Sequence, residues 1–150
     1  MSGLTNGYLN EIGKKTIGKT FLGSFPCDLT PKVNRKTNFS LILNLSKYNE
    51  KGTHFVAIFA DEKKILYFDP LGNKCENKDI IKFITENKKT RKVFKKFPKI
   101  QSDDSIFCGF YCLGFLLAMT QNKKNFFKHF PNTPSLKNDS IVIKFIKENL

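Results

Sequence analysis

Residues 106–119 read Ile-Phe-Cys-Gly-Phe-Tyr-Cys-Leu-Gly-Phe-Leu-Leu-Ala-Met, fourteen residues without a charge. A membrane-spanning helix needs roughly 20 apolar residues, so this run is too short to cross a bilayer. It predicts a helix over residues 106–121 that is apolar on every face, and such a helix belongs in the middle of a fold. A polar loop, residues 102–105, leads into it. The rest of the chain must therefore supply the layers that cover it.

Upstream, Thr53-His54-Phe55-Val56-Ala57-Ile58-Phe59-Ala60 is β-branched and aromatic, and nearly all apolar. That suits a central strand buried on both faces. Residues 61–64 read as a turn and residues 65–69 as a second strand, stopped by Pro70-Leu71-Gly72. Two such runs around a tight polar turn predict an antiparallel hairpin. Phe39-Ser40-Leu41-Ile42-Leu43-Asn44-Leu45 predicts another strand, and the very basic stretch 91–101 a further one. Leu4, Tyr8 and Ile12 recur every four residues, which predicts a first helix over 5–15 with Thr5 or Asn6 as cap. Residues 21–31, rich in Gly, Pro and Asp, read as a loop. Asn77 or Lys78-Asp79 opens a helix running to about Asn87, with Ile80, Ile81, Phe83 and Ile84 as its apolar face. Residues 126–130 read as a helical turn and 131–140 as a loop. A last amphipathic helix is expected over 141–149, with Asp139 or Ser140 as cap. The fold class expected is α+β, with a mixed or antiparallel sheet packed on a central buried helix.

With 150 residues, one domain spanning 1–150 is the natural count. An apolar fraction of 40% with 26% charged residues excludes a disordered chain. Residues 1–20 hold no apolar stretch of secretory type, so an intracellular protein, neither secreted nor in a membrane, is expected. The four cysteines, Cys27, Cys75, Cys108 and Cys112, are then expected to be reduced thiols. Cys108 and Cys112 are four apart, and there is no CxxC pair or HxxxH, so no metal is expected.

Cys108 stands where the polar loop enters the buried helix. A helix start and a nearby imidazolium both favour a thiolate. Gly109 follows, and without a side chain there a substrate carbonyl can approach the backbone closely. The Cys108 amide then points toward a developing oxyanion. His54 and Asp69 lie on the two strands of the predicted hairpin, so they are expected to meet at its open end. An acid beside a histidine fixes its tautomer and stabilises its charged form. Gln101, seven residues before Cys108, offers the neutral N–H donor that an oxyanion hole needs. Each residue also has an ordinary reading: an inert core thiol, a hydrogen-bonded core histidine, a turn aspartate. The ordered set His54, Asp69, Gln101, Cys108 points instead to a thiol hydrolase. Cys112, one helical turn deeper, reads as core packing.

The order and local wording resemble the adenovirus-type cysteine proteases, whose fold also includes the SUMO-deconjugating proteases. Gly52-Thr53-His54-Phe55 resembles that family's Gly-x-His-aromatic segment, and Asp69-Pro70-Leu71-Gly72 its acid-Pro-x-Gly turn. Gln101 and Cys108 keep the family's spacing, and Phe21-Leu22-Gly23-Ser24-Phe25 resembles its Phe-Leu-Gly-x-aromatic stretch. The resemblance implies the adenain-like fold and a cysteine endopeptidase that cleaves viral precursor proteins during virion maturation. Cys108 would be the nucleophile, His54 the general base, Asp69 its orienting acid and Gln101 an oxyanion donor. It implies encoding by a virus, virophage or Polinton-like element, and a place in the host nucleus or viral factory and inside the virion. Phe55 stands where the family often has Trp. The stretch 91–100 holds no Cys, whereas adenoviral enzymes couple an activating peptide to one there. Two other readings stand beside this one. They are a ubiquitin-like-protein deconjugating protease and a basic DNA-binding protein with an inactive protease-like core.

The net charge is +13. Residues 82–99 carry eight basic residues, Lys82, Lys88, Lys89, Arg91, Lys92, Lys95, Lys96 and Lys99, against the single acid Glu86. Lys123, Lys124 and Lys128 extend the cluster. Such a stretch reads either as a sequence-independent phosphate contact or as a solubilising face. The resemblance favours the first, with DNA as a non-covalent activator. No other cofactor is expected, and a monomer is.

Overall fold

The computed structural model describes residues 6–33, 38–123, 125–131 and 133–150. Along the chain run α1 (Asn6–Thr16), β1 (Phe21–Pro26), β2 (Phe39–Asn44), β3 (Phe55–Ala60), β4 (Lys64–Phe68) and α2 (Lys78–Lys88). They are followed by β5 (Lys92–Phe94), α3 (Cys108–Thr120), a 3-10 turn (Phe126–His129) and α4 (Lys137–Lys147). The strands form one sheet in the order β1-β2-β3-β4-β5. β2–β3 and β3–β4 are antiparallel, whereas the outer pairs β1–β2 and β4–β5 are parallel. The architecture is therefore α+β with a mixed sheet.

Every residue of β3 is buried because both faces of the sheet are covered. Alternation sends Phe55, Ala57 and Phe59 to the face carrying α3. Val56, Ile58 and Ala60 go to the opposite face, where Ile80, Phe83 and Ile84 of α2 cover them. Helix α3 is buried along almost its whole length, as its composition demands. It packs on the sheet, with α4 against it and α1 touching both it and β1. A Cβ at Gly114 would sit 2.8 Å from Val142 Cγ2, so a glycine is what allows α3 and α4 to approach this closely. The ring of Phe115 stacks on Phe68 at 4.3 Å and meets Phe97 edge-on at 5.2 Å.

The structure corrects several sequence expectations. Residues 21–26 are a strand rather than a loop, because β1 pairs in parallel with the distant β2. Its far side is tied to α1, where Asn10 Oδ1 accepts the Ser24 N–H at 2.6 Å and Ser24 Oγ bonds Asn6 Oδ1 at 2.7 Å. Of the basic stretch 91–101, only Lys92–Phe94 pairs as a strand. Helix α3 begins at Cys108, two residues later than expected, and α4 begins at Lys137. Neither Asp139 nor Ser140 caps α4; Leu136 holds that position without a side-chain bond. Asn77 does cap α2, its side-chain oxygen accepting from Asp79 and Ile80. Leu4, Thr5 and Lys124 lie outside the described residues. Among the described residues no helix is long and apolar enough to cross a membrane.

Arg91 departs from the expected phosphate-contact set. It is 8% exposed, and its guanidinium donates to the carbonyls of Asp61 at 2.6 Å and Asn87 at 2.9 Å. The guanidinium carbon lies 5.3 Å from the centre of the Phe39 ring. This arginine joins α2 to the sheet instead of facing solvent.

The aromatic stack yields a stability test. Phe115→Ala should cost about 3–5 kcal/mol in urea unfolding, because it empties a fully buried site between the sheet and the helices. A loss below about 1 kcal/mol would contradict this packing.

Candidate active site

His54 stands one position before β3, not within the strand as expected, and its carbonyl accepts the Leu45 N–H at 2.9 Å. Asp69 follows the last residue of β4. The antiparallel register therefore leaves both residues at the same open end of the hairpin. His54 Nε2 lies 2.7 Å from Asp69 Oδ1. That carboxylate oxygen also accepts the Leu71 N–H at 2.8 Å. The Asp69 carbonyl accepts the Gly72 N–H at 2.9 Å. Gly72 adopts φ +74°, a conformation that glycine takes without strain. The acid-Pro-Leu-Gly turn thus holds its own carboxylate toward the imidazole.

Cys108 is the first residue of α3, and its thiol hydrogen-bonds the His54 side chain. Burial works against a charge on the ring. The bonds and charges of Asp69 and Cys108 outweigh it and push the His54 pKa up to about 9. The ring is consequently charged at neutral pH, although its side chain is only 12% exposed.

All four cysteines are buried and free of disulfides. Burial raises the pKa of Cys27 and Cys75, and that of Cys112 far more. Cys108 differs from them in its imidazolium partner, not in exposure. Among the described residues no group of three or more His, Cys, Asp or Glu side chains could hold a metal ion.

Gln101 is 2% exposed and is anchored through its backbone to the acid turn. The Pro70 carbonyl accepts both the Ile100 and Gln101 N–H groups, each at 3.0 Å. The side chain donates from Nε2 to the Ser105 carbonyl at 3.0 Å. Its buried Oε1 has no hydrogen-bond partner among the described residues.

Three neighbours escaped the sequence reading. Ser105 Oγ and Tyr111 Oη both donate to Asp139 Oδ1, at 2.8 and 2.6 Å. Asp139 was expected only as a helix cap, and Ser105 only as loop. One signal was available: Asn138 lies four and eight residues before the core positions Val142 and Ile146. That spacing puts Asn138 on the buried face of α4, with Asp139 next to it.

No protein-family model matches the chain. A protease of bovine adenovirus 7 is 28% identical over 158 aligned positions, covering 85% of this chain and 77% of that relative. A crystal structure of an ASFV protease superimposes with a TM-score of 0.68 at 20% identity, over 98% of this chain and 67% of that one. A second crystal structure of that protease gives 0.57 at 25% identity, over 76% of this chain. That match spans only 44% of the solved chain. In fold and in sequence the chain is thus similar to these viral proteases.

Proposed function

We propose that this chain is an endopeptidase that cuts viral precursor proteins during virion maturation, with Cys108 as nucleophile. The observation that carries the reading is one imidazole held between an acid and a thiol. Its Nε2 lies 2.7 Å from Asp69 Oδ1, and the Cys108 side chain is its second hydrogen-bond partner. With its proton held on His54, Cys108 attacks the scissile carbonyl carbon as a thiolate, and charged His54 keeps that proton through the attack. As the tetrahedral intermediate collapses, His54 gives that proton to the leaving amine, and a thioester remains on Cys108. Neutral His54 then takes a proton from water, and the hydroxide releases the new carboxyl group and restores the thiol couple. Asp69 orients the ring and offsets its charge throughout.

Gln101 supplies the oxyanion donor with the Cys108 backbone N–H. A primary amide has two N–H groups. One serves Ser105, and the other faces the oxyanion. Gly109 leaves the backbone open to the substrate, and small residues, glycine above all, flank the cut. The chain acts as a monomer in the infected cell and inside the virion. Lys82, Lys88, Lys89, Lys92, Lys95 and Lys96 are exposed and form the contact for a DNA backbone that activates without covalent linkage. Arg91 is not part of that contact, and Lys99 is already paired with Asp103 at 2.6 Å.

Cys108→Ala and His54→Ala should each lower cleavage of a precursor-derived peptide by at least about 10³-fold, with unchanged circular dichroism. A Cys108→Ala chain that still cuts would refute the assignment. The proton on His54 gives a second test. A pKa raised by an acid and a sulfur means the ring stays charged through pH 6.5 and loses its proton only well above it. Followed by NMR, the wild-type ring should lose its proton near pH 9. In Asp69→Ala it should lose the proton nearer the ordinary histidine value of about 6.5. A wild-type ring titrating at or below 6.5 would contradict the couple.

A further inference from the structure

We infer that Asn138 and Asp139, side by side in the first turn of α4, are positioning residues for the oxyanion donor Gln101. The inference rests on the protease reading above and adds residues which that reading does not need. Asn138 is fully buried and Asp139 is 8% exposed, unusual positions for polar side chains at a helix start. Each holds one end of the segment that carries Gln101. Asn138 Nδ2 donates to the Ile100 carbonyl at 2.8 Å, immediately before Gln101. Asp139 Oδ1 accepts from Ser105 Oγ at 2.8 Å, at the far end of the loop.

From Ser105 the chain of bonds divides. Its carbonyl receives the Gln101 amide at 3.0 Å. Its hydroxyl oxygen accepts the Phe107 N–H at 3.1 Å, directly before Cys108. Tyr111 Oη, at 2.6 Å from the same carboxylate oxygen, ties that carboxylate to α3 itself. Asp139 therefore sets the distance between the two proposed oxyanion donors, the Gln101 amide and the Cys108 backbone N–H. It touches neither the substrate nor the thiol. A carboxylate suits this place because one acceptor oxygen can take two hydroxyl donors at once. Removing it leaves the buried Tyr111 hydroxyl and the half-buried Ser105 hydroxyl to seek other partners, and the loop that carries Gln101 loosens.

The test compares wild type, Asp139→Ala and Asp139→Asn in steady-state peptide cleavage and in amide hydrogen exchange. In Asp139→Ala, kcat should fall about 10-fold or more, short of the ~10²–10³ for outright loss of an oxyanion donor. KM should stay within about twofold, because only transition-state contacts are disturbed. Exchange should quicken over residues 100–107, the Phe107 amide included, with the sheet unchanged. Asp139→Asn should restore kcat to within about threefold, since its amide oxygen can accept the same two hydroxyls. Unchanged kcat together with unchanged exchange in Asp139→Ala would overturn the inference, as would an equally damaged Asp139→Asn. If Asp139→Ala fails to fold, Ser105→Ala decides by the same two measurements, because it removes the loop arm and leaves the Tyr111–Asp139 bond. A wild-type chain that cuts no peptide would refute the protease reading instead, and the exchange data would then decide this inference alone.

Discussion

A helix with no charged residue along its 13 positions cannot be left in water, and burying α3 organises the whole molecule. Each large apolar side chain taken from solvent contributes roughly 1.5–3 kcal/mol. Ten of the helix residues are buried, so this one element accounts for a large share of the core. Its neighbours are arranged accordingly: Phe55, Ala57 and Phe59 of the central strand face it, α4 packs on it, and α1 touches both it and β1. Sunk in this way, the helix has little freedom in where its first residue lies. Cys108 comes to rest beside the end of the strand that starts one residue after His54.

The grouping of His54, Asp69 and Cys108 thus arises where two rigid elements end, and short-range chemistry completes it. The β3–β4 hairpin sets His54 against Asp69. The Asx-type turn at Asp69 aims the carboxylate through its own Leu71 N–H. Pro70 ties the turn to Ile100 and Gln101, and α4 ties the same segment to the start of α3. Four stretches far apart in sequence are held by named hydrogen bonds around one imidazole. The polar groups involved are mostly buried, so each bond is stronger than it would be at the surface, and each loss would cost more.

What was legible in the sequence follows from which signals are local. The strands 39–44, 55–60 and 64–68, the helix after Asn77 and the buried helix all carry runs or caps that can be read within a few residues. His54, Asp69, Gln101 and Cys108 stood out in the sequence as an ordered set, and the structure sets His54 against Asp69 at 2.7 Å with Cys108 bonded to the same imidazole. The misses are non-local. β1 contains Gly23 and ends at Pro26, and only its parallel partner 18 or so residues away makes it a strand. The basic stretch after Arg91 looked extended throughout, yet it pairs with β4 for just three residues. Arg91 looked like one more surface cation, although backbone carbonyls of Asp61 and Asn87 hold it inside. Asp139 looked like a cap because the pull of Ser105 and Tyr111, 34 and 28 residues away, leaves no local trace.

The central claim is that an imidazolium, rather than solvent access, distinguishes one thiol among four buried ones. Brief treatment of the native chain with limiting iodoacetamide at neutral pH, read by peptide mass spectrometry, tests it most directly. Carbamidomethyl is expected on Cys108 well ahead of Cys27, Cys75 and Cys112. Equal labelling of all four, or labelling that spares Cys108, would contradict it.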